Sequence, residues 1–91
     1  MRIANVNARA YVTARAPFQG NNLYGLKGSR GYAVFSYGRH WPLYIFRRGR
    51  WYENADRTSV TTSKHLSQTR PTGAETTLKT LRQMLDIDIG L

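Results

Sequence analysis

The densest run of aromatic and branched residues lies in the middle of the chain and predicts three consecutive antiparallel strands. The first covers Tyr32–Tyr37 and the second covers Leu43–Arg47, and both consist of residue types that favour strands. The second is apolar on both faces, which is typical of a strand at the centre of a sheet. An Arg-Gly pair then predicts a tight turn into a third strand at Arg50–Glu53.

Weaker strand signals precede this meander. From Val6 to Arg15 apolar residues alternate with polar ones, and a period of two predicts a half-buried strand that Pro17 ends. The outer face of that strand would carry Arg9, Tyr11, Thr13 and Arg15. The segment Leu23–Lys27 predicts another short strand, and the glycines after it predict a turn into the meander.

Two helices are predicted after the meander. Threonine hydroxyls are good N-cap groups, so a short helix is expected to begin near Thr61 or Thr62 and to end near Gln68. Thr72 and Glu75 have the spacing of a capping box, which predicts a second helix. The apolar face of the second helix would carry Leu78, Leu81, Met84 and Leu85. The alternating residues that follow fit either a short edge strand or a docked tail.

These elements predict an α+β fold, with a small, mostly antiparallel sheet of three to five strands and two helices packed on one side. The 91 residues form a single domain, because a chain of this length has no room for two cores. The absence of cysteine excludes disulfides and thiolate metal sites. No apolar run reaches the ~18 residues of a membrane-spanning helix, and the first residues lack the apolar stretch of a secretory signal. We therefore expect no membrane contact.

The charge balance indicates a polyanionic partner. Fourteen basic residues face five acidic ones, a formal net charge of +9, and eleven of the basic residues are arginine. The guanidinium group matches the geometry of phosphate and stacks on bases and aromatic rings. This composition is typical of proteins that bind nucleic acid or a nucleoprotein complex, although a positive field also attracts an acidic protein surface.

Basic and aromatic residues concentrate between positions 36 and 65. Single-stranded nucleic acid is bound by such combinations, since bases stack on rings while cations follow the phosphate backbone. The candidate binding residues of this kind are Arg39, His40, Trp41, Arg47, Arg48, Arg50 and, further on, Arg70. Trp51 lies within a predicted strand, so we expect it to be structural.

A second group of candidates is a polar segment of five residues: Thr61, Thr62, Ser63, Lys64 and His65. If this segment opens a helix, free backbone N–H groups, hydroxyls and an ammonium group gather at one end, which is the chemistry of an anion site. The alternative is a simple N-cap with polar side chains in solvent. Because one hydroxyl suffices for capping, we predict a polar face beside Arg39 and His40.

Two phrases in this region resemble a family of small proteins encoded by bacteriophages and plasmids. The first is Ser36-Tyr37-Gly38, and the second is Ser59-Val60-Thr61-Thr62-Ser63-Lys64-His65, with an aromatic strand between them. Thr58 departs from the family phrase, in which an aromatic residue is common at that position. The resemblance implies an accessory protein of a mobile element that acts in the host cytoplasm. By analogy it also implies an inhibitor of a host defence system, of the anti-CRISPR kind.

Two other functions stay open. A small metal-independent ribonuclease or toxin-like enzyme would transfer protons through His40 and His65, with Lys64 stabilising the charge on the phosphorane. The other is a virion component or a regulatory DNA-binding protein. The carboxylates form no ligand-spaced motif, so we expect no metal and no cofactor, and we favour binding without catalysis.

Overall fold

The predicted meander is confirmed, and it forms the centre of a six-stranded sheet in the computed structural model, which describes residues 2–56 and 60–91. The strands lie side by side in sequence order. Neighbouring strands are antiparallel except the last two, which are parallel. The strands are β1 (Phe18–Gln19), β2 (Leu23–Lys27), β3 (Gly31–Ser36), β4 (Pro42–Arg47), β5 (Arg50–Asn54) and β6 (Thr76–Lys79).

Helices cover both faces of this sheet. They are α1 (Ala8–Thr13), α2 (Val60–Thr69) and α3 (Leu81–Leu85). α1 and α2 pack on the first face, while α3 and the residues after it pack on the second. The α+β class is therefore confirmed, but the predicted three to five strands and two helices on one side are wrong: the described residues form six strands and three helices on two sides.

The reason for two covered faces lies in the central strands. Successive side chains of a strand point to opposite faces, and β3 buries Ala33, Val34 and Phe35 one after another. Val34 belongs to a core on the first face together with Tyr44, whereas Ala33 and Phe35 belong to a core on the second face together with Met84. A sheet with apolar side chains on both faces needs helices or other segments on both sides to remove those side chains from water.

The predicted first strand, from Val6 to Arg15, is wrong because this segment is helical. A 3-10 turn at Asn5–Asn7 leads into α1, which buries Ala8 and Val12 while Val6 is 74% exposed. An alternation of two also produces an apolar residue at every fourth position, and alanine and arginine are strong helix formers. The helix therefore buries residues that are four positions apart, and the other apolar residues of the alternation are exposed.

The predicted outer row of that strand is correspondingly absent. Arg9 donates from Nη2 to the carbonyl of Ser67 at 2.6 Å, so it ties α1 to α2. The Thr13 hydroxyl donates to the carbonyl of Arg9 and accepts from the backbone N–H of Thr72. These side chains hold helices and loops together and do not form a continuous polar surface.

α1 ends in a Schellman motif, a helix terminus in which two backbone N–H groups return to the last turn. The N–H of Arg15 donates to the carbonyl of Val12 at 2.9 Å, and that of Ala16 donates to the carbonyl of Tyr11 at 2.8 Å. Arg15 has a φ of 53°, in the left-handed region that glycine usually occupies. Its guanidinium lies 4.5 Å from the centre of the Phe46 ring, which anchors the turn on the first core.

The predicted second helix begins later than its sequence signal indicates. Thr76–Lys79 forms β6 instead, parallel to β5, because β-branched residues fit a pleated strand better than a helix. The capping box consists of Thr80 and Gln83 rather than Thr72 and Glu75. The Thr80 hydroxyl accepts from the N–H of Gln83 at 3.2 Å, and the Gln83 amide oxygen accepts from the N–H of Thr80 at 3.0 Å.

The late start of α3 also changes which residues are buried. Of the four residues predicted to form an apolar face, only Met84 is fully buried. Leu78 lies on the edge strand and is 61% exposed, Leu85 is 51% exposed, and Leu81 is half-buried. The helix ends at Leu85.

The remaining C-terminal predictions are confirmed where the structure describes them. α2 starts at Val60, close to its expected first turn, but its N-cap and the phrase positions Thr58 and Ser59 lie outside the described residues. The last residues form a docked tail: Ile89 is buried, and its carbonyl accepts from the N–H of Arg30 at 2.9 Å.

Candidate nucleic-acid interface

The basic and aromatic candidates from the sequence fall into two groups at opposite ends of β4. Arg39, His40 and Trp41 lie in the loop before β4, and Arg47 ends the strand, which begins at Pro42 and is six residues long. At ~3.3 Å per residue, the two ends are roughly 20 Å apart. The structure therefore does not bring all the predicted arginines onto one site.

One of these groups borders a cleft on the second face, beside the turn between β4 and β5. The cleft has a volume of about 240 Å³. We call it the hairpin cleft, and its lining consists of Arg47, Arg48, Tyr52, Lys79, Gln83 and Ile87. Three of these six side chains are cationic and none is a carboxylate, so the hairpin cleft is a positively charged recess.

Strand register explains why these side chains meet. Arg47 pairs with Arg50 across the hairpin, and Tyr52 follows two residues later on the same face of β5. The parallel pairing of β6 with β5 brings Lys79 alongside, with its ammonium 5.7 Å from the centre of the Tyr52 ring. α3 then adds the Gln83 amide at the edge of the cleft.

The turn itself directs Arg48 outward. Arg48 and Gly49 have φ values of 52° and 76°, and two central residues at positive φ match the type I′ turn that suits a two-residue hairpin. Arg48 and Arg50 are exposed. The Nε of Arg47 is buried and has no hydrogen-bond partner among the described residues.

Sequence reasoning missed four residues of the hairpin cleft, namely Tyr52, Lys79, Gln83 and Ile87. Lys79 falls within the second helix that the sequence predicts, but α3 starts only at Leu81 and Lys79 ends β6 instead. The signal that could have placed it is the pair Thr76-Thr77, whose branched side chains favour a strand beside β5.

Ser36 and His65, from the two sequence phrases described above, meet on the first face of the sheet. The Ser36 hydroxyl lies 2.7 Å from Nδ1 of His65, and both residues are buried. The ring of Tyr37, which has a φ of 68°, is centred 5.9 Å from that of His65. Burial, together with the charge of Lys64, lowers the pKa of His65, which favours the neutral imidazole.

The polar segment at the start of α2 divides between two sides of the helix. Thr62 and His65 are buried against the sheet, while Thr61, Ser63 and Lys64 are exposed. This pattern follows from the spacing of three between the buried residues. The predicted single face of five polar residues is therefore wrong, and its exposed part is limited to two hydroxyls and one ammonium.

The other candidates have structural contacts. Arg70 donates to both carboxylate oxygens of buried Glu53, at 2.9 and 3.1 Å, and this hydrogen bonding raises the pKa of Arg70. Trp41 packs against the first core, and its indole N–H is buried without a partner among the described residues. Trp51 lies in the same core, which confirms the prediction that it is structural. His40 is exposed in its loop.

Comparison of this chain with protein-family models, curated proteins and solved structures gives no match. The resemblance to phage and plasmid proteins therefore stays a prediction. Among the helices that the structure describes, none combines the length and apolar character required to cross a membrane. No group of three histidine, aspartate or glutamate side chains is placed to hold a metal ion in residues 2–56 and 60–91.

Proposed function

We propose that this protein binds nucleic acid, alone or within a nucleoprotein complex, and that it does so without catalysing a reaction. The observation that supports the proposal is the hairpin cleft, which is lined by three cationic side chains and one aromatic ring and by no carboxylate. Cations of this kind hold phosphates, and the ring gives a neighbouring base a surface to stack on. The net charge of +9 adds a general attraction for polyanions.

The ion pairs of the described residues support the proposal, because they involve other arginines, although the Asp88 carboxylate also attracts Arg47 from outside the hairpin cleft. Arg70 is paired with Glu53, and Arg30 is paired with Asp88. No such pair involves Arg47, Arg48 or Lys79 within the described part of the chain. An acidic protein surface would also be attracted to this charge, and the test below separates it from nucleic acid.

The ribonuclease alternative is less well supported. It requires His65 to exchange protons with a substrate, yet His65 is 5% exposed and hydrogen-bonded to Ser36. Inhibition of a host defence complex is compatible with the proposal, since such complexes carry nucleic acid. That step rests on the resemblance alone.

The test measures the affinity of a fluorescently labelled single-stranded oligonucleotide by anisotropy over a series of salt concentrations. The variant Arg48→Ala/Lys79→Ala removes two charges from the hairpin cleft. The matched control Arg2→Ala/Lys27→Ala removes two exposed charges elsewhere, on the β1 edge and at the end of β2. Circular dichroism checks that both variants keep the native fold.

We expect the cleft variant to weaken binding at least tenfold, about 1.4 kcal/mol, and the control to weaken it much less. The slope of log K against log salt should also fall by about 0.7 for each phosphate that the variant no longer neutralises. Equal losses of affinity in both variants would mean that general charge, rather than the cleft, holds the strand. Failure of the wild type to bind at ~50 mM salt would overturn the proposal and make an acidic protein the better partner.

A further inference from the structure

A second cleft lies next to the hairpin cleft on the same face of the sheet, and Ile87 lines both. It has a volume of about 340 Å³ and lies between β3, β4, α3 and the C-terminal tail. We call it the tail cleft. Its floor is apolar, with Phe35, Ile45 and Met84 from the second core. Because the two clefts share Ile87, a nucleic-acid strand bound in the hairpin cleft would pass over that residue to enter the tail cleft.

The rim of the tail cleft is chemically different from that of the hairpin cleft. Arg39 is exposed on one side, and Leu85, half of whose surface is exposed, adds apolar area. Asp86 is exposed, and its carboxylate accepts no hydrogen bond from any described residue. Asp88 also lines the cleft, but it is engaged by the N–H of Gly90 and by Arg30, which lower its pKa.

We propose that the tail cleft holds one unpaired nucleobase of the strand whose phosphates lie in the hairpin cleft; this rests on the proposed function above. The apolar floor accepts the flat faces of a base, and the Arg39 guanidinium can stack against it. The Asp86 carboxylate at the rim repels a phosphate, which disfavours the backbone in this recess. The occupant of the tail cleft is therefore the base and not the backbone.

The free carboxylate also determines which base fits. Asp86 can only accept hydrogen bonds. The exocyclic amino groups of cytosine, adenine and guanine donate them, whereas thymine and uracil carry only carbonyl oxygens outside the ring. The strand must be single, because a base in a duplex is stacked and paired. The ligand class is thus a single strand with an amino-bearing base next to the phosphates in the hairpin cleft.

The experiment compares an oligo-dC strand, an oligo-dT strand of the same length and a duplex at one salt concentration. The two single strands carry the same phosphates and differ in the amino or carbonyl group of the base. We expect the wild type to bind oligo-dC at least about fivefold more tightly than oligo-dT, and the duplex more weakly than oligo-dC.

The decisive variant is Asp86→Asn, whose amide can donate to a carbonyl as well as accept. It should bring the two affinities within about twofold of each other, mainly by improving oligo-dT. The control Glu75→Gln removes the same charge from an exposed position that lines neither cleft, so it should change both affinities together and keep their ratio.

Equal wild-type affinities for oligo-dC and oligo-dT would overturn the base-binding proposal while leaving the proposed function intact. The base-binding proposal would also be overturned if Asp86→Asn left the ratio of the two affinities unchanged, or if the duplex bound as well as oligo-dC. In either case the tail cleft would hold something other than a base, such as an apolar side chain of a protein. No binding of any strand would overturn the proposed function and this inference together.

Discussion

The burial of Met84 gives the most direct test of how α3 packs. Met84 is fully buried in the second core with Ala33, Phe35 and Ile45, so Met84→Ala removes side-chain atoms from a packed environment. Such substitutions cost about 2–5 kcal/mol when the site is sealed. Because Met84 also borders the tail cleft, the space left behind can open to solvent, and we expect the lower part of that range, about 2–3 kcal/mol.

Urea unfolding followed by tryptophan fluorescence measures this loss directly. For a domain of this size the same loss lowers the thermal midpoint by about 10–20 °C, at roughly 4–8 °C per kcal/mol. The matched control is Leu85→Ala, one residue along the same helix but exposed, which should change stability by less than about 0.5 kcal/mol. Equal effects of the two variants would show that α3 does not face the second core.

The sequence alone assigns this cost to Leu81, in the middle of the predicted apolar stripe. The half-burial of Leu81 lowers the expected cost of Leu81→Ala below that of Met84→Ala. A larger effect at Leu81 would support the longer helix that the sequence predicts and contradict the late start of α3.

Two further perturbations test local contacts. The pKa of His65 is lower in the folded state than the ~6.5 of an unfolded chain. Between these two pKa values the unfolded state therefore binds more protons than the folded state. The free energy of unfolding should then fall as the pH drops below about 6.5, by at most ~1.4 kcal/mol per pH unit. His65→Asn keeps a polar partner for Ser36 but cannot titrate, so its stability should depend less on pH between about 7.5 and about 5.5, and a profile as steep as that of the wild type would assign the proton to another group. At Arg15, with its positive φ, Arg15→Gly should be more stable than Arg15→Ala by about 1 kcal/mol in urea unfolding, and equal stabilities would mean that the turn adopts another conformation.

Much of the sheet could be predicted because its strands are locally encoded. β2 to β5 are short runs of aromatic and branched residues separated by glycine-containing turns or a short loop, and each pairs with its neighbour in sequence. The errors fall where two periods fit the same residues. Between Val6 and Arg15 the alternation is also compatible with a helix, and only the burial of Ala8 and Val12 against α2 decides between them.

The candidate site could be predicted only in part for a similar reason. Arg47 and Arg48 are adjacent in sequence and are followed by Gly49, so their position beside a tight turn could be predicted from the local sequence. Lys79 and Gln83 join them through a parallel strand pairing over a long sequence separation, which no local pattern encodes. Conversely, the sequence suggests that Arg70 is a cation free to bind a partner. The structure shows instead that it donates hydrogen bonds to the buried carboxylate of Glu53.

The parallel pairing of β5 with β6 has a consequence for the order in which the chain folds. Short connections join β2 to β5, so these strands can pair early. β6 can pair with β5 only after the longer connection that contains α2 has crossed the first face. Closing a longer connection costs more chain entropy, so we expect the meander to form first and β6, α3 and the tail to join it later. The hairpin cleft takes Arg47 and Arg48 from the early part and Lys79 and Gln83 from the late part. A molecule that has folded only as far as the meander therefore has the arginines but not the cleft, and a bound strand would slow hydrogen exchange in the last segment to fold.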